Sequence, residues 1–149
     1  MIHGVINVLI IIIIIIINRG DYQQCLLLST QNVYMFAVNG GLQIVSILPE
    51  FIQLLDDDIV SLTALTLIVD PKCRDVFGIF VHIYQLTLSL YLMTQCQLRL
   101  HQSVTSLAQT LDYIEVTLQV YPVEWTINRL ILKMIAQKAV TYITTVMNS

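Results

Sequence analysis

The chain has 149 residues, 56% of them hydrophobic and only 11% charged, with a formal net charge of −3 at pH 7. Soluble domains carry about 25% charged residues, so a water-soluble reading leaves too much apolar surface uncovered, and the long uncharged stretches point to a bilayer. The seven basic residues are spread out with no clustered patch, so no phosphate-backbone partner is implied and no nucleic acid is expected.

The first segment, MIHGVINVLIIIIIIIIN, ends in eight isoleucines, Ile10 to Ile17. A secretory signal needs a basic n-region and small residues before a cleavage site, and only His3 precedes this run. Residues 2–18 approach the roughly 20 residues that cross hydrocarbon. A β-branched run equally suits a strand, and periodicity does not separate the two. Because further uncharged stretches follow, a membrane helix is the expectation.

Residues 25–49 form a second possible span, interrupted at Gly40-Gly41 and ended by Pro49; glycine is tolerated in a membrane helix where a neighbour packs on it. Glu50 and Asp56-Asp57-Asp58 then mark an exit to water. Clustered carboxylates suit hard cations, but three adjacent ones do not converge from a regular element, so a solvated loop is expected, with Asp58 capping the next segment. Ile59 to Val69 is too short for a full span and reads as an interfacial or re-entrant piece.

DPKCRD, residues 70–75, is a loop. Residues 76–96, VFGIFVHIYQLTLSLYLMTQC, have no formal charge beyond a possible proton on His82 and make the best span. In hydrocarbon, His82, Gln85 and Gln95 must face other helices or water. On a helix Phe77, Phe80 and Tyr84 fall at i, i+3 and i+7. They would pack against neighbouring helices or wall an apolar ligand pocket, with His82 or Gln85 as its polar handle. A small apolar ligand is the partner this second option admits.

From Arg99 the pattern becomes amphipathic. Leu100, Val104, Leu107, Leu111, Ile114 and Leu118 step by 4, 3, 4, 3 and 4, the stripe of a helix over 99–120 that Pro122 ends. A second amphipathic helix, 126–145, has Ile127, Leu130, Ile131 and Met134 on one face and Arg129 and Lys133 on the other. Arg99, Arg129, Lys133 and Lys138 all follow the best span, so the positive-inside rule places 97–138 in the cytoplasm and 56–75 outside. The fold class expected is all-α: a polytopic helical membrane protein with long amphipathic cytoplasmic helices, one domain over 1–149.

No zincin, nucleophile-elbow, phosphate-loop or dinucleotide motif is present in the sequence. Cys25, Cys73 and Cys96 form no CxxC pair and no disulfide framework; Cys25 and Cys96 sit in apolar runs, as small buried hydrophobes do. His3 and His101 have no evident partners. No cofactor, metal or catalytic residue is expected, and an embedded enzyme, testable at His82, has the least support.

The order of pieces from residue 76 resembles the C-terminal region of insect odorant receptors. An uncharged span ends in YLMTQC, a polar helix follows (QLRLHQSVTSLAQTLDYIEV), then YPVEW, then a basic helix ending in AQKAVTYIT. Tyr121, Trp125, Ala136, Gln137, Lys138 and Thr141 are the matching positions. Trp125 to Gln137 is shorter than in that family, Ala139 stands where proline is common, and residues 1–75 show no specific match. The resemblance implies an odorant-gated, nonselective cation channel subunit in the plasma membrane, assembling with a co-receptor through packed intracellular helices. The pore-lining half-helix would begin about where Ser149 stands, which implies a partial receptor. The alternative is a small membrane subunit or assembly factor that docks through the Leu100–Leu118 stripe.

Overall fold

The computed structural model describes residues 11–39, 44–47, 54–69 and 81–149. These form helices α1 (11–18), α2 (Tyr22–Asn39), α3 (Asp57–Val69), α4 (Gln85–Arg99), α5 (Val104–Val120) and α6 (Thr126–Met147). One antiparallel ribbon joins β1 (Ile44–Ile47) to β2 (Val81–Tyr84), with Ile44 opposite Tyr84 and Ile47 opposite Val81. The described chain is mostly helical, as the sequence leads one to expect.

The isoleucine run is helical from residue 11, with Ile13 and Ile14 buried and Ile12 and Ile15 exposed. It stops because Gly20 adopts φ +85°, the left-handed conformation that glycine reaches without a Cβ penalty. The Gly20 amide donates to Ile17 O at 3.0 Å and the Asp21 amide to Ile16 O at 3.2 Å, the paired bonds that close a helix C-terminus on a glycine. Asp21 then starts α2, its Oδ1 accepting from the Gln24 amide at 3.2 Å; an aspartate at this position satisfies an amide the helix itself leaves free.

Two expected spans are broken by the ribbon. Residues 25–49 are not one helix: α2 ends at Asn39 and β1 begins at Ile44, on either side of the glycine pair. Nor are residues 76–96: 81–84 are a strand and α4 starts only at Gln85. Val81, Ile83 and Tyr84 are β-branched or aromatic, types that favour a pleated partner, and β1 supplies it. The Tyr84 amide, at the strand-to-helix junction, donates to Asn128 Oδ1 on α6 at 2.8 Å. At about 1.5 Å per residue, the 15 residues of α4 reach roughly 22 Å, short of the ~30 Å of hydrocarbon. By length and composition one described helix, Thr126–Met147, is long and apolar enough to cross a membrane.

The helix expected over 99–120 is divided. Arg99 closes α4, His101 takes φ 51° in the turn, and α5 begins at Val104. Ser103 is the reason it begins there, since its Oγ accepts from the Ser106 amide at 3.2 Å. At the other end the Arg129 guanidinium donates to Leu118 O at 2.6 Å and Tyr121 O at 3.1 Å, serving carbonyls that the helix terminus leaves without partners. Arg129 is therefore not a solvent-facing cation but the clamp between α5 and α6.

The expected docking stripe is spent inside the chain. Leu107 and Ile114 are fully buried, and Val104, Leu111 and Leu118 partly so, with α5 packed on α6; Leu100 belongs to the turn after α4. Ile127, Ile131, Leu132 and Ile135 fill the α6 side of the core. Leu107→Asp is expected to cost more than about 3 kcal/mol, from the lost packing and a buried unpaired carboxylate. Glu115→Ala, a polar exposed position on α5, should change stability by less than about 0.5 kcal/mol. Urea denaturation followed by circular dichroism compares the two.

Candidate functional site

The helices bring polar groups together at two ends of the bundle. Arg99 at the end of α4 lies over the Tyr22 ring at the start of α2, 5.8 Å from its centroid, so these helices run antiparallel. Tyr84 meets Asn128 near one end of α4, while Lys138 reaches the neighbourhood of Gln95 near the other, so α6 runs alongside α4 in the same direction.

At the Arg99 end there is a cavity of about 510 Å³, lined by Asp56, Asp58, Tyr91, Gln95, Arg99 and Lys138 among others. Asp56, not Asp58, caps α3: its Oδ1 accepts from the Ile59 amide at 3.0 Å. Its Oδ2 accepts from Gln95 Nε2 and, at 3.3 Å, from Lys138 Nζ. Gln95 Nε2 also donates to the Tyr91 hydroxyl at 3.1 Å. Asp58 was the expected cap; instead it points to α6 and pairs with Lys138 at 2.8 Å. That hydrogen bond and the ammonium charge hold the Asp58 carboxyl below its ordinary range.

The contact also overturns the topology inferred from charge. Residues 56–75 were expected outside and 97–138 inside, yet Lys138 touches both Asp56 and Asp58. Groups within 4 Å of one another cannot lie across ~30 Å of hydrocarbon, so 56–58 and Lys138 share one side. The positive-inside count failed because it treated Lys138 as a free cation rather than as the partner of the acidic triplet.

At the opposite end Tyr84, Tyr121 and Trp125 cluster. Tyr84 stacks on Trp125 with centroids 3.9 Å apart and planes at 21°, Tyr121 meets Trp125 at 5.0 Å and 61°, and Tyr84 and Tyr121 are 5.9 Å apart. Such aromatic pairs contribute beyond their buried area. The Tyr121 hydroxyl is also 2.9 Å from Thr87 Oγ1 on α4. Burial pushes the Tyr121 phenol above its ordinary pKa, so it stays protonated and able to donate. This cluster turns the chain from α5 into α6 and ties the turn to the ribbon.

Of the expected ligand-site residues, Phe77 and Phe80 lie outside the described residues. Tyr84 lies in β2, not on a helix, and packs on Trp125. His82 is in β2, in register with Ser46. Gln85 opens α4, fully buried, and neither end of its amide has a protein partner; Asn32 Nδ2 and Ser89 Oγ are likewise buried without one. Of the family-motif positions, Tyr121 and Trp125 meet in the aromatic cluster and Lys138 joins the acidic triplet. Ala136 is partly buried against the core, while Gln137 and Thr141 are exposed. His101 lies in the α4–α5 turn, its ring 6.3 Å from that of Tyr142; His3 lies outside the described residues.

Sequence reasoning missed Asp56, Tyr91, Gln95 and Arg99 as a group. The readable signal was Tyr91 and Gln95 at i and i+4 on one helix face, but nothing in the sequence brings Asp56 to them. Among the described residues no group of three or more His, Cys, Asp or Glu could hold a metal ion. Comparison with protein-family models, curated proteins and solved structures finds no match.

Two outcomes follow from this geometry. Because its folded pKa is depressed, Asp58 contributes stability above the ordinary carboxylate value near 3.9, and that contribution is lost as pH falls through the lower folded value. A carboxyl-carbon NMR titration should place the Asp58 midpoint below about 3.9, and Lys138→Met should return it toward that value. Trp125→Ala is expected to destabilise by roughly 3 kcal/mol, read by chemical denaturation, with amide exchange accelerated in β2 as well as at the start of α6.

Proposed function

We propose that the chain is a non-catalytic helical membrane protein of the insect odorant-receptor type, in which α4, the α5–α6 hairpin and the aromatic turn form the packing anchor. The observation that carries the reading is the distribution of polarity. The buried polar residues are Ser, Thr, Asn and Gln, among them Ser29, Asn32, Thr63, Gln85, Ser89 and Thr110, whereas Leu27, Leu65, Ile68, Val116 and Val120 are exposed. Helices in a bilayer associate through small and uncharged polar residues and turn apolar side chains outward, because the lipid gives them no reason to hide. The sequence of helix, polar helix, Tyr121–Trp125 turn and Ala136-Gln137-Lys138 helix supports the family reading by its order.

In this reading the chain is a receptor-like subunit of an odorant-gated cation channel in the plasma membrane, working with a co-receptor. The buried stripe on α5 is not the docking face, and the exposed valines Val116 and Val120, one turn apart, face lipid or the neighbouring subunit.

Expressed with an epitope tag, the protein is expected to stay in the membrane pellet after alkaline carbonate extraction and to be freed only by detergent; release by carbonate overturns the membrane reading. Glycosylation acceptors inserted at residues 72 and 105 test the family reading: the family topology requires opposite sides of the membrane, and a same-side result, the one the Lys138 contacts with Asp56 and Asp58 favour, overturns the family match. Co-purification with a co-expressed odorant co-receptor tests the family reading, which fails if the two do not associate.

A further inference from the structure

Cys25 and Cys96 are fully buried, carry free thiols, and sit on α2 and α4, the two helices that pack together most extensively. Tyr22 and Arg99 fix their antiparallel register. Three residues onward along α2 comes Cys25, and three residues back along α4 comes Cys96, so the same register brings the two cysteines face to face. Each lies on a seam that steps by 4, 3 and 4: Cys25, Ser29, Asn32 and Phe36 on α2, and Gln85, Ser89, Leu92 and Cys96 on α4, all eight buried.

We propose that Cys25 and Cys96 are a site of oxidative modification, joined in a disulfide that staples α2 to α4 when the chain meets a disulfide-bearing oxidant such as an oxidised dithiol oxidoreductase or oxidised glutathione. One cysteine thiolate attacks the oxidant's disulfide and releases its first thiol. The second cysteine thiolate then attacks the mixed disulfide, forms the intramolecular S–S bond and releases the other thiol. The protein gives up two electrons and two protons, and the oxidant is reduced by the same amount.

Burial sets when this happens. Neither sulfur is open to an incoming disulfide while α2 is seated on α4, so the exchange takes place as the helices dock or when α2 opens. Once made, the bond is shielded from reductants by the same packing. The staple closes a loop of about 70 residues; closing a long loop restricts the unfolded chain most, so its effect is to hold the isoleucine-rich α1 and α2 to the rest of the fold.

The test uses the full chain in detergent, first reduced and then exposed to oxidised glutathione, both when folded and while folding from denaturant. A product lighter by about 2 Da is expected, faster on a non-reducing gel, with Cys25 and Cys96 in one linked peptide and a higher melting midpoint that dithiothreitol reverses. Cys73→Ser should leave the product unchanged, whereas Cys25→Ser and Cys96→Ser should abolish it. Peptide mapping of the unsubstituted chain decides the matter even if a variant fails to fold. A linkage that includes Cys73, or no Cys25–Cys96 linkage under either condition, overturns the proposal.

Discussion

α2 packs on α4, and small or polar residues are buried on both helices, Cys25, Ser29 and Asn32 on one and Ser89 and Cys96 on the other, beside the larger Phe36 and Leu92. Small side chains let helix backbones approach closely, so dispersion contacts between the helices add to the burial of the larger apolar groups beside them. The rest of the described structure depends on this pair. It fixes the end at which Arg99 and Tyr22 meet, and α6 then lies along α4 so that Lys138 arrives beside Asp56 and Asp58. The ribbon forms beyond the other end of the same two helices, where α2 has stopped and α4 has not begun.

The cost of such a seam is polar burial. Ser29 and Thr94 meet it by donating to the carbonyl four residues earlier, at 2.7 and 2.8 Å. Gln97 and Thr110 meet it across helices, with the threonine hydroxyl donating to the amide oxygen at 2.8 Å. Asn32, Ser89 and Gln85 do not meet it through the protein, and a buried polar group without a partner costs about 1–3 kcal/mol. The α2–α4 contact is thus specified more by shape and register than by strength, and α6, through Arg129, Asn128 and Lys138, supplies directional bonds to α5, β2 and α3.

How much of this was legible varied with how local the cause was. The stripe from Val104 to Leu118 and the second stripe from Ile127 are helical periodicities, and helices formed there because nothing remote had to agree. The break at His101 is hidden because Leu100 continues the apolar spacing into Val104, while the Ser103 hydroxyl that restarts the helix acts through one hydrogen bond to its backbone. Val81 to Tyr84 illustrates the opposite case. An uncharged run reads equally as helix or strand, and here β1, some 37 residues earlier in the chain, provided the partner that chose the strand.

The sequence by itself determined the helical character of the chain, the apolar excess, the stop at Pro122 and the absence of a local catalytic motif, because each is set by neighbours within a turn or two. It also contained Tyr121 and Trp125 close together, though without Tyr84, which completes their cluster. Only the tertiary structure decided that Lys138 belongs with Asp56 and Asp58, that Arg129 clamps the end of α5, and that Cys25 and Cys96 are buried on two helices packed against each other. Those pairings join residues tens of positions apart, and their partners are chosen by the register of packed helices, a quantity that no stretch of sequence specifies until two surfaces meet.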